Sequence, residues 1–114
     1  MRIKCYCNLY VSTSLERKRN KVISKLMERR LAPSVYILTL AQGEQNHLEF
    51  FPAILLRQHV YDNDEIFVVG LAESYESAVE LVERILRQVL ADTGGTDIRR
   101  FILEKQLLFE ESRG

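Results

Sequence analysis

Net charge is the property that this sequence most clearly lacks. Its 114 residues include 16 lysines and arginines and 16 aspartates and glutamates, so the formal net charge is zero. A neutral protein has no overall electrostatic field that would draw it towards nucleic acid or an anionic membrane surface. We therefore expect any ligand or partner to be recognised by a local group of side chains.

Long apolar runs are also missing. The longest, residues 35–41 and 66–72, are far shorter than the roughly 20 residues that cross a bilayer. The first residues alternate in polarity, whereas a signal peptide needs a continuous apolar stretch. Hydrophobic residues make up 46% of the chain, which is typical of a globular protein. We predict one cytoplasmic αβ domain over residues 1–114 with no membrane partner and with a polar C-terminal tail from about residue 110.

Cysteine and histidine are too scarce to indicate a metal site. Cys5 and Cys7 lie two apart in a predicted strand, which places both thiols on one face of that strand with their Cα atoms about 6.7 Å apart. This separation is at the outer limit for a disulfide. The two histidines, His47 and His59, have no ligand-like spacing to them. The sequence therefore predicts two buried free thiols, no metal and no cofactor.

The polarity pattern of the first half predicts alternating strands and helices. Residues 3–11 alternate with a period of two, which is typical of a strand. Thr13 and Glu16 have the spacing of a capping box that opens a helix, and Pro33 is expected to end this helix. Residues 35–41 form a second strand. Residues 47–51 are either a hairpin partner of that strand or a plain loop, and a short helix is expected from Pro52 to about residue 60.

The second half continues this alternation. Residues 65–72 are apolar on both faces and predict a central strand. Ser74 can cap a helix over residues 75–92, and the Gly94–Gly95 pair is expected to stop it because glycine readily adopts the left-handed conformation. A last strand is expected over about residues 98–103.

Two folds are compatible with this order of elements. Strands that are apolar on both faces favour a three-layer α/β sandwich with helices on both sides of a small, mainly parallel, four-stranded sheet. The alternative is an α+β ferredoxin-like fold with an inserted short helix, in which two helices cover one face of an antiparallel sheet.

Polar connections at the carboxyl ends of parallel strands suggest a binding site. Ligands of open parallel sheets bind beyond these strand ends, and helix N-termini there favour anions. We hypothesise a site for a small molecule or phosphate, in which His47 and Glu44 could transfer protons. Its candidate residues are Ser12, Thr13, Ser14, Gln42, Gly43, Glu44, Asn46, His47, Glu73 and Ser74.

The simpler interpretation of these hydroxyl residues is structural, because serine and threonine often precede helices in order to cap them. The sequence contains no glycine-rich phosphate loop and no nucleophile elbow or zinc-protease motif. The sequence therefore assigns no catalytic residue, and we expect a protein that binds without catalysing.

Two further hypotheses concern macromolecular partners. The first predicted helix carries a local excess of positive charge, which suggests a nucleic-acid contact through Arg17, Lys18, Lys21, Lys25 and Arg29. No aromatic residues interleave with these basic residues, so nucleic acid is the less favoured partner. The other hypothesis is a regulatory domain that acts through a partner or as a homo-oligomer, with a dimer expected first. Its contact residues would be Phe50, Phe51, Leu107, Leu108 and Phe109.

Overall fold

The computed structural model describes residues 2–41, 48–57 and 65–113, which form one four-stranded sheet with helices on both faces. In chain order, the elements are β1 (Arg2–Val11), a 3₁₀ helix (Thr13–Lys18), α1 (Arg19–Met27), β2 (Tyr36–Leu40), β3 (Leu48–Pro52), α2 (Ile54–Arg57), β4 (Glu65–Ala72), α3 (Tyr75–Thr93) and α4 (Ile98–Arg113).

The sheet is mixed. Its strand order is β1-β4-β2-β3, in which β1 pairs in parallel with β4, and β2 pairs antiparallel with both β4 and β3. The α/β class therefore fits, but the expectation of a mainly parallel sheet is wrong. Two of the three strand pairings are antiparallel. One of them is the pairing of β2 with β3, the hairpin alternative for residues 47–51, which the structure shows over Leu48–Pro52. His47 itself lies outside the described residues.

Each face of the sheet has its own hydrophobic core. On one face, α1 and α2 contribute side chains such as Val22, Leu26 and Leu56 to a core that includes Val11 and Val68. On the other face, α3 and α4 pack over the sheet, with the buried side chains Ala78, Leu81, Ile85, Val89, Ile98, Phe101 and Ile102. The burial of strand residues on both faces explains why β2 and β4 have no polar face.

Residues 98–103 form the first part of a helix, so the prediction of a last strand there is wrong. Ile98, Phe101 and Ile102 are buried at helical spacing, and the side chain of Asp97 accepts a hydrogen bond from the Arg100 N–H (3.1 Å). The helix continues through Arg113, so residues 110–113 are helical as well. An apolar run of this length is compatible with either structure when only periodicity is considered.

β1 is irregular in its middle, where Cys5 aligns with Val68 and Tyr10 with Gly70. The chain therefore advances by five residues in β1 while it advances by two in β4. This irregularity breaks the alternation of the β1 side chains between the two faces of the sheet. Cys5 packs on the α1 side, and Cys7 packs on the side of α3 and α4. The prediction that both thiols share one face is therefore wrong. Both cysteines are free and half-buried.

The first helical segment also differs from the prediction. It starts as a 3₁₀ helix after Ser12, with no side-chain cap, so the capping box expected from Thr13 is absent. α1 ends at Met27, before Pro33 is reached, because Arg29 adopts a left-handed conformation (φ 58°). The Arg30 N–H donates to the Lys25 carbonyl (2.7 Å), which completes a Schellman motif.

α3 has the boundaries that its sequence predicts. It runs from Tyr75 to Thr93 and ends at Gly94, which is left-handed (φ 74°) and whose N–H donates to the Leu90 carbonyl. Gly70 of β4 lets α3 and β1 come close, since a Cβ there would lie 3.1 Å from Leu81 Cδ2 and 3.1 Å from the Tyr10 carbonyl oxygen.

Candidate functional site

The parallel strands β1 and β4 end side by side, and hydrogen bonds link the residues that follow their two ends. The Ser12 N–H donates to the Leu71 carbonyl (2.9 Å), and the Glu73 N–H donates to Ser12 Oγ (3.3 Å). Ser12 is buried because these contacts hold it between the two strand ends. Its hydroxyl lies 3.4 Å from that of Ser14. The carboxyl edge of this strand pair therefore has a fixed backbone with hydroxyl groups on it.

α3 begins at the same edge with a reciprocal cap. Ser74 Oγ accepts a hydrogen bond from the Ser77 N–H (3.2 Å), while the Ser74 N–H donates to Ser77 Oγ (2.8 Å). This is the capping-box arrangement with serine in the place of the usual glutamate. Ser74 therefore has the structural role that serines before helices commonly have.

One side of α3 is turned towards β1. Arg84 Nη2 donates to the Val11 carbonyl (2.8 Å), and the Tyr10 hydroxyl donates to Gln88 Oε1 (2.7 Å). Burial raises the pKa of Tyr10 to about 12, above its ordinary value of 10.0. These contacts place the Arg84 side chain beside the end of β1.

A groove lies between the end of β1 and this side of α3. It has a volume of about 950 Å³, near the upper end of the roughly 300–1,000 Å³ of ligand pockets. It is lined by Ser12, Thr13, Ser14, Ser77, Glu80, Leu81, Arg84 and Arg87. The two guanidinium groups and the hydroxyls of Thr13 and Ser14 are hydrogen-bond donors for an anion, whereas the Ser77 hydroxyl already donates to the Ser74 carbonyl (3.1 Å). Among the lining residues, Glu80 supplies a single opposing charge.

The two arginines differ in their existing contacts. Arg84 is hydrogen-bonded to the backbone of β1 through one nitrogen, which restricts the position of its guanidinium. Arg87 forms an exposed ion pair with Glu83 (3.9 Å). An exposed pair of this length contributes little energy, so Arg87 can turn to another anion at low cost.

Five of the ten candidate residues lie at this edge. Ser12, Thr13 and Ser14 line the groove, and Glu73 and Ser74 follow β4 beside it. The other five, Gln42, Gly43, Glu44, Asn46 and His47, lie outside the described residues. Because β2 is antiparallel to β4, Ala41 after β2 lies at the opposite edge, where its carbonyl accepts a hydrogen bond from Arg99.

The α3 residues of the groove, Ser77, Glu80, Arg84 and Arg87, are absent from the sequence-based hypothesis. They recur at steps of three and four along α3 and therefore share one side of the helix. That spacing is visible in the sequence. The sequence does not show that this side of the helix faces β1, because that contact depends on how α3 packs in the folded protein.

Four of the five basic residues considered for nucleic acid are divided between two elements, and the fifth follows the second element. Arg17 and Lys18 belong to the 3₁₀ helix, Lys21 and Lys25 to α1, and Arg29 follows α1 in the left-handed conformation. All five are exposed. Arg17 and Lys18 therefore lie on a different helical segment from Lys21 and Lys25, and not on the single helix that the sequence predicts.

Comparison with known proteins finds no family model that matches the chain, and no curated protein or solved structure that matches it significantly. Within residues 2–41, 48–57 and 65–113, no helix is long and apolar enough to cross a membrane. In the same part of the chain, histidine, cysteine and carboxylate side chains form no cluster of three or more that could hold a metal ion.

Proposed function

We propose that this protein is a non-catalytic domain that binds a small anionic ligand in the groove between the end of β1 and α3. The observation that carries this proposal is the convergence of Arg84 and Arg87 with the hydroxyls of Thr13 and Ser14 on one groove. Guanidinium groups offer paired N–H donors that match the geometry of carboxylate and phosphate.

The position of the groove supports the same proposal. It lies beyond the carboxyl ends of two adjacent parallel strands, where ligands of open α/β sheets usually bind. The hydrogen bonds of Ser12 and Arg84 fix both of its walls before any ligand arrives. A site that is already formed loses little conformational entropy on binding.

Titration calorimetry with inorganic phosphate and with pyrophosphate tests this proposal. We expect binding that weakens as salt rises, because the attraction is largely electrostatic. Replacing Arg87→Gln should lower the affinity about tenfold, since a hydrogen bond to a charged group contributes about 1.5–3 kcal/mol. Replacing Glu80→Gln should raise the affinity, because it removes the carboxylate that repels the anion.

The matched control is Arg30→Gln, which removes an exposed arginine whose ion pair with Glu28 (3.7 Å) lies after α1. This variant should bind as the unchanged protein does. Equal losses for Arg87→Gln and Arg30→Gln would mean that the anion senses only overall charge, and the groove would then not be the site. Absence of binding to either anion would also contradict the proposal.

A further inference from the structure

The two central strands, β2 and β4, separate towards the edge of the sheet that lies opposite the groove. Within the described residues, their pairing ends at Thr39 with Val68, next to an irregularity that shifts its register. Beyond this point β4 pairs only with β1, as far as Glu65, and β2 pairs only with β3, as far as Leu40. A cleft lies between the two strands at this edge.

α4 forms one wall of this cleft, which we call the α4 cleft. Its volume is about 660 Å³, within the roughly 300–1,000 Å³ of ligand pockets. Leu103 and Leu107 of α4 line it together with Phe67 of β4 and Phe51 of β3. The two leucines are 42% and 55% exposed. The α4 cleft therefore presents apolar surface in a concave site, as ligand pockets do.

Charged groups accompany these apolar walls, and negative charge prevails among them. The described residues that line the α4 cleft include three carboxylates and two cationic groups, namely Glu49, Glu65, Glu110, Lys4 and Arg99. Both cationic groups already bind an oxygen atom. Arg99 donates to the Ala41 carbonyl, and Lys4 forms an ion pair with Glu110.

The carboxylates of the α4 cleft keep the capacity to bind a further cationic donor. Glu65 pairs with Arg2 (3.5 Å), and Glu110 pairs with Lys4. Each carboxylate has about four acceptor positions, so one ion pair does not exhaust it. The faces of the Phe51 and Phe67 rings add a second attraction, because the electrons of an aromatic face attract a cation.

We infer that the α4 cleft binds a small apolar molecule that carries one positive charge, such as an aromatic amine. Its apolar body contacts Leu103, Leu107 and Phe67, and its ammonium group lies near the carboxylates. This ligand is opposite in charge to the anion proposed for the groove. The two sites lie at opposite edges of the sheet, so the inference does not depend on the proposed function.

Fluorescence titration of the full chain with three naphthalene probes tests this inference. The probes 1-naphthylmethylamine, 1-naphthalenemethanol and 1-naphthoate share one ring system and differ in charge. We expect the amine to bind with a dissociation constant on the order of 100 µM, as suits a ligand of this size. The neutral alcohol should bind several times more weakly, and the anionic naphthoate most weakly, because the carboxylates repel it.

A substitution in α4 tests the apolar wall. Leu107→Gln should weaken the binding of both the amine and the alcohol about fivefold, because it removes apolar contact area. The matched control is Leu108→Gln, which changes the adjacent leucine of the same helix. Leu108 is 65% exposed and is not among the residues that line the α4 cleft. The control should bind both probes as the unchanged protein does.

A second substitution tests the charge. Glu65→Gln should weaken the binding of the amine about threefold and leave that of the alcohol unchanged, since only the amine is attracted by the carboxylate. The matched control is Glu111→Gln, which removes an exposed carboxylate of α4 that does not line the α4 cleft. Circular dichroism of each variant should show that the protein remains folded.

Three results would overturn the inference. The first is equal binding of the three probes, or no binding of the amine, and this result needs no variant. The second is an equal loss in Leu107→Gln and Leu108→Gln. The third is an affinity for the amine that Glu65→Gln and Glu111→Gln change alike. Phosphate binding measured in the same variants reports on the groove separately, so failure of one site is distinguishable from failure of the other.

Discussion

At the scale of single residues, Tyr6 carries an energetic cost. Its side chain is 2% exposed and packs against the rings of Tyr10 and Phe67. Its hydroxyl is buried, and within the described residues it has only the nearby Asn8 side chain beside it, with no hydrogen bond of regular geometry. A buried polar group without a partner costs about 1–3 kcal/mol relative to its hydration in the unfolded chain.

Replacing Tyr6→Phe should therefore stabilise the protein by about 1 kcal/mol, because it removes the unpaired hydroxyl and keeps the ring. Tyr10→Phe is the matched control, since the Tyr10 hydroxyl donates to Gln88. That change should leave the stability equal or lower. Urea denaturation of both variants measures the two effects. A loss of stability in Tyr6→Phe would show that its hydroxyl is satisfied in solution.

At the scale of elements, the ends of the helices show how local sequence sets their lengths. α3 ends at a glycine, for which the left-handed conformation carries no steric penalty. α1 ends in the same conformation at Arg29, where the Cβ atom raises the energy by about 1–2 kcal/mol. Both helices therefore end at a residue in the left-handed conformation, which glycine adopts without strain and arginine only at an energetic cost.

Arg29→Gly should raise the free energy of unfolding by about 1 kcal/mol, because glycine relieves the strain at this position but also gains freedom in the unfolded chain. Arg30→Gly is the control, since Arg30 has no positive φ. It should lower the stability or leave it unchanged. Thermal unfolding of the two variants gives the comparison, and equal effects at both positions would contradict the argument from backbone strain.

At the scale of the whole molecule, one polar chain of contacts attaches α4 to β1. The Cys7 N–H, which lies in the irregular part of β1, donates to Gln106 Oε1 (2.7 Å). Gln106 Nε2 donates to Glu110 Oε1 (3.2 Å), and Glu110 forms an ion pair with Lys4 (2.5 Å). The sheet and its last helix are thus joined by polar contacts as well as by the core.

This attachment should weaken in acid. The hydrogen bond that Lys4 donates to Glu110 lowers the pKa of this carboxyl below its ordinary value of 4.5. The hydrogen bond from Gln106 lowers it further. A lowered pKa means that the carboxylate stabilises the folded state above pH 4.5 and that this contribution is lost as the pH falls through the folded pKa. Glu110→Gln should therefore be less stable than the unchanged protein at neutral pH.

The two proteins should become equally stable at a pH well below 4.5, where Glu110 is protonated. Both side chains of the ion pair are almost half exposed, so the difference at neutral pH should be small and should shrink in high salt. Denaturation midpoints at several pH values measure this. A difference that is the same at every pH would show that the charge of Glu110 makes no contribution.

Part of the fold and of the candidate groove can be predicted because the signals are local. The polarity pattern that predicts β1, the cap at Ser74 and the stop at Gly94 depend on residues that are close in sequence. The structure shows β1 and both ends of α3, although the alternation of β1 is broken in its middle. The serines after β1 indicate the carboxyl edge of the sheet in the same way, because they directly follow that strand in the sequence. Such features can be predicted without knowing which residues are in contact in the folded protein.

Only the tertiary structure decides how these elements meet. The direction of β2 depends on its pairing with β3 and β4, and it sends the chain after Leu40 to the edge opposite Ser12. α4 is a helix because its long apolar face packs on the sheet and its end binds β1, which a short apolar run cannot specify. The arginines of the groove belong to it because α3 turns that side to β1. Periodicity determines which residues share a face, whereas packing between distant parts of the chain determines what that face contacts.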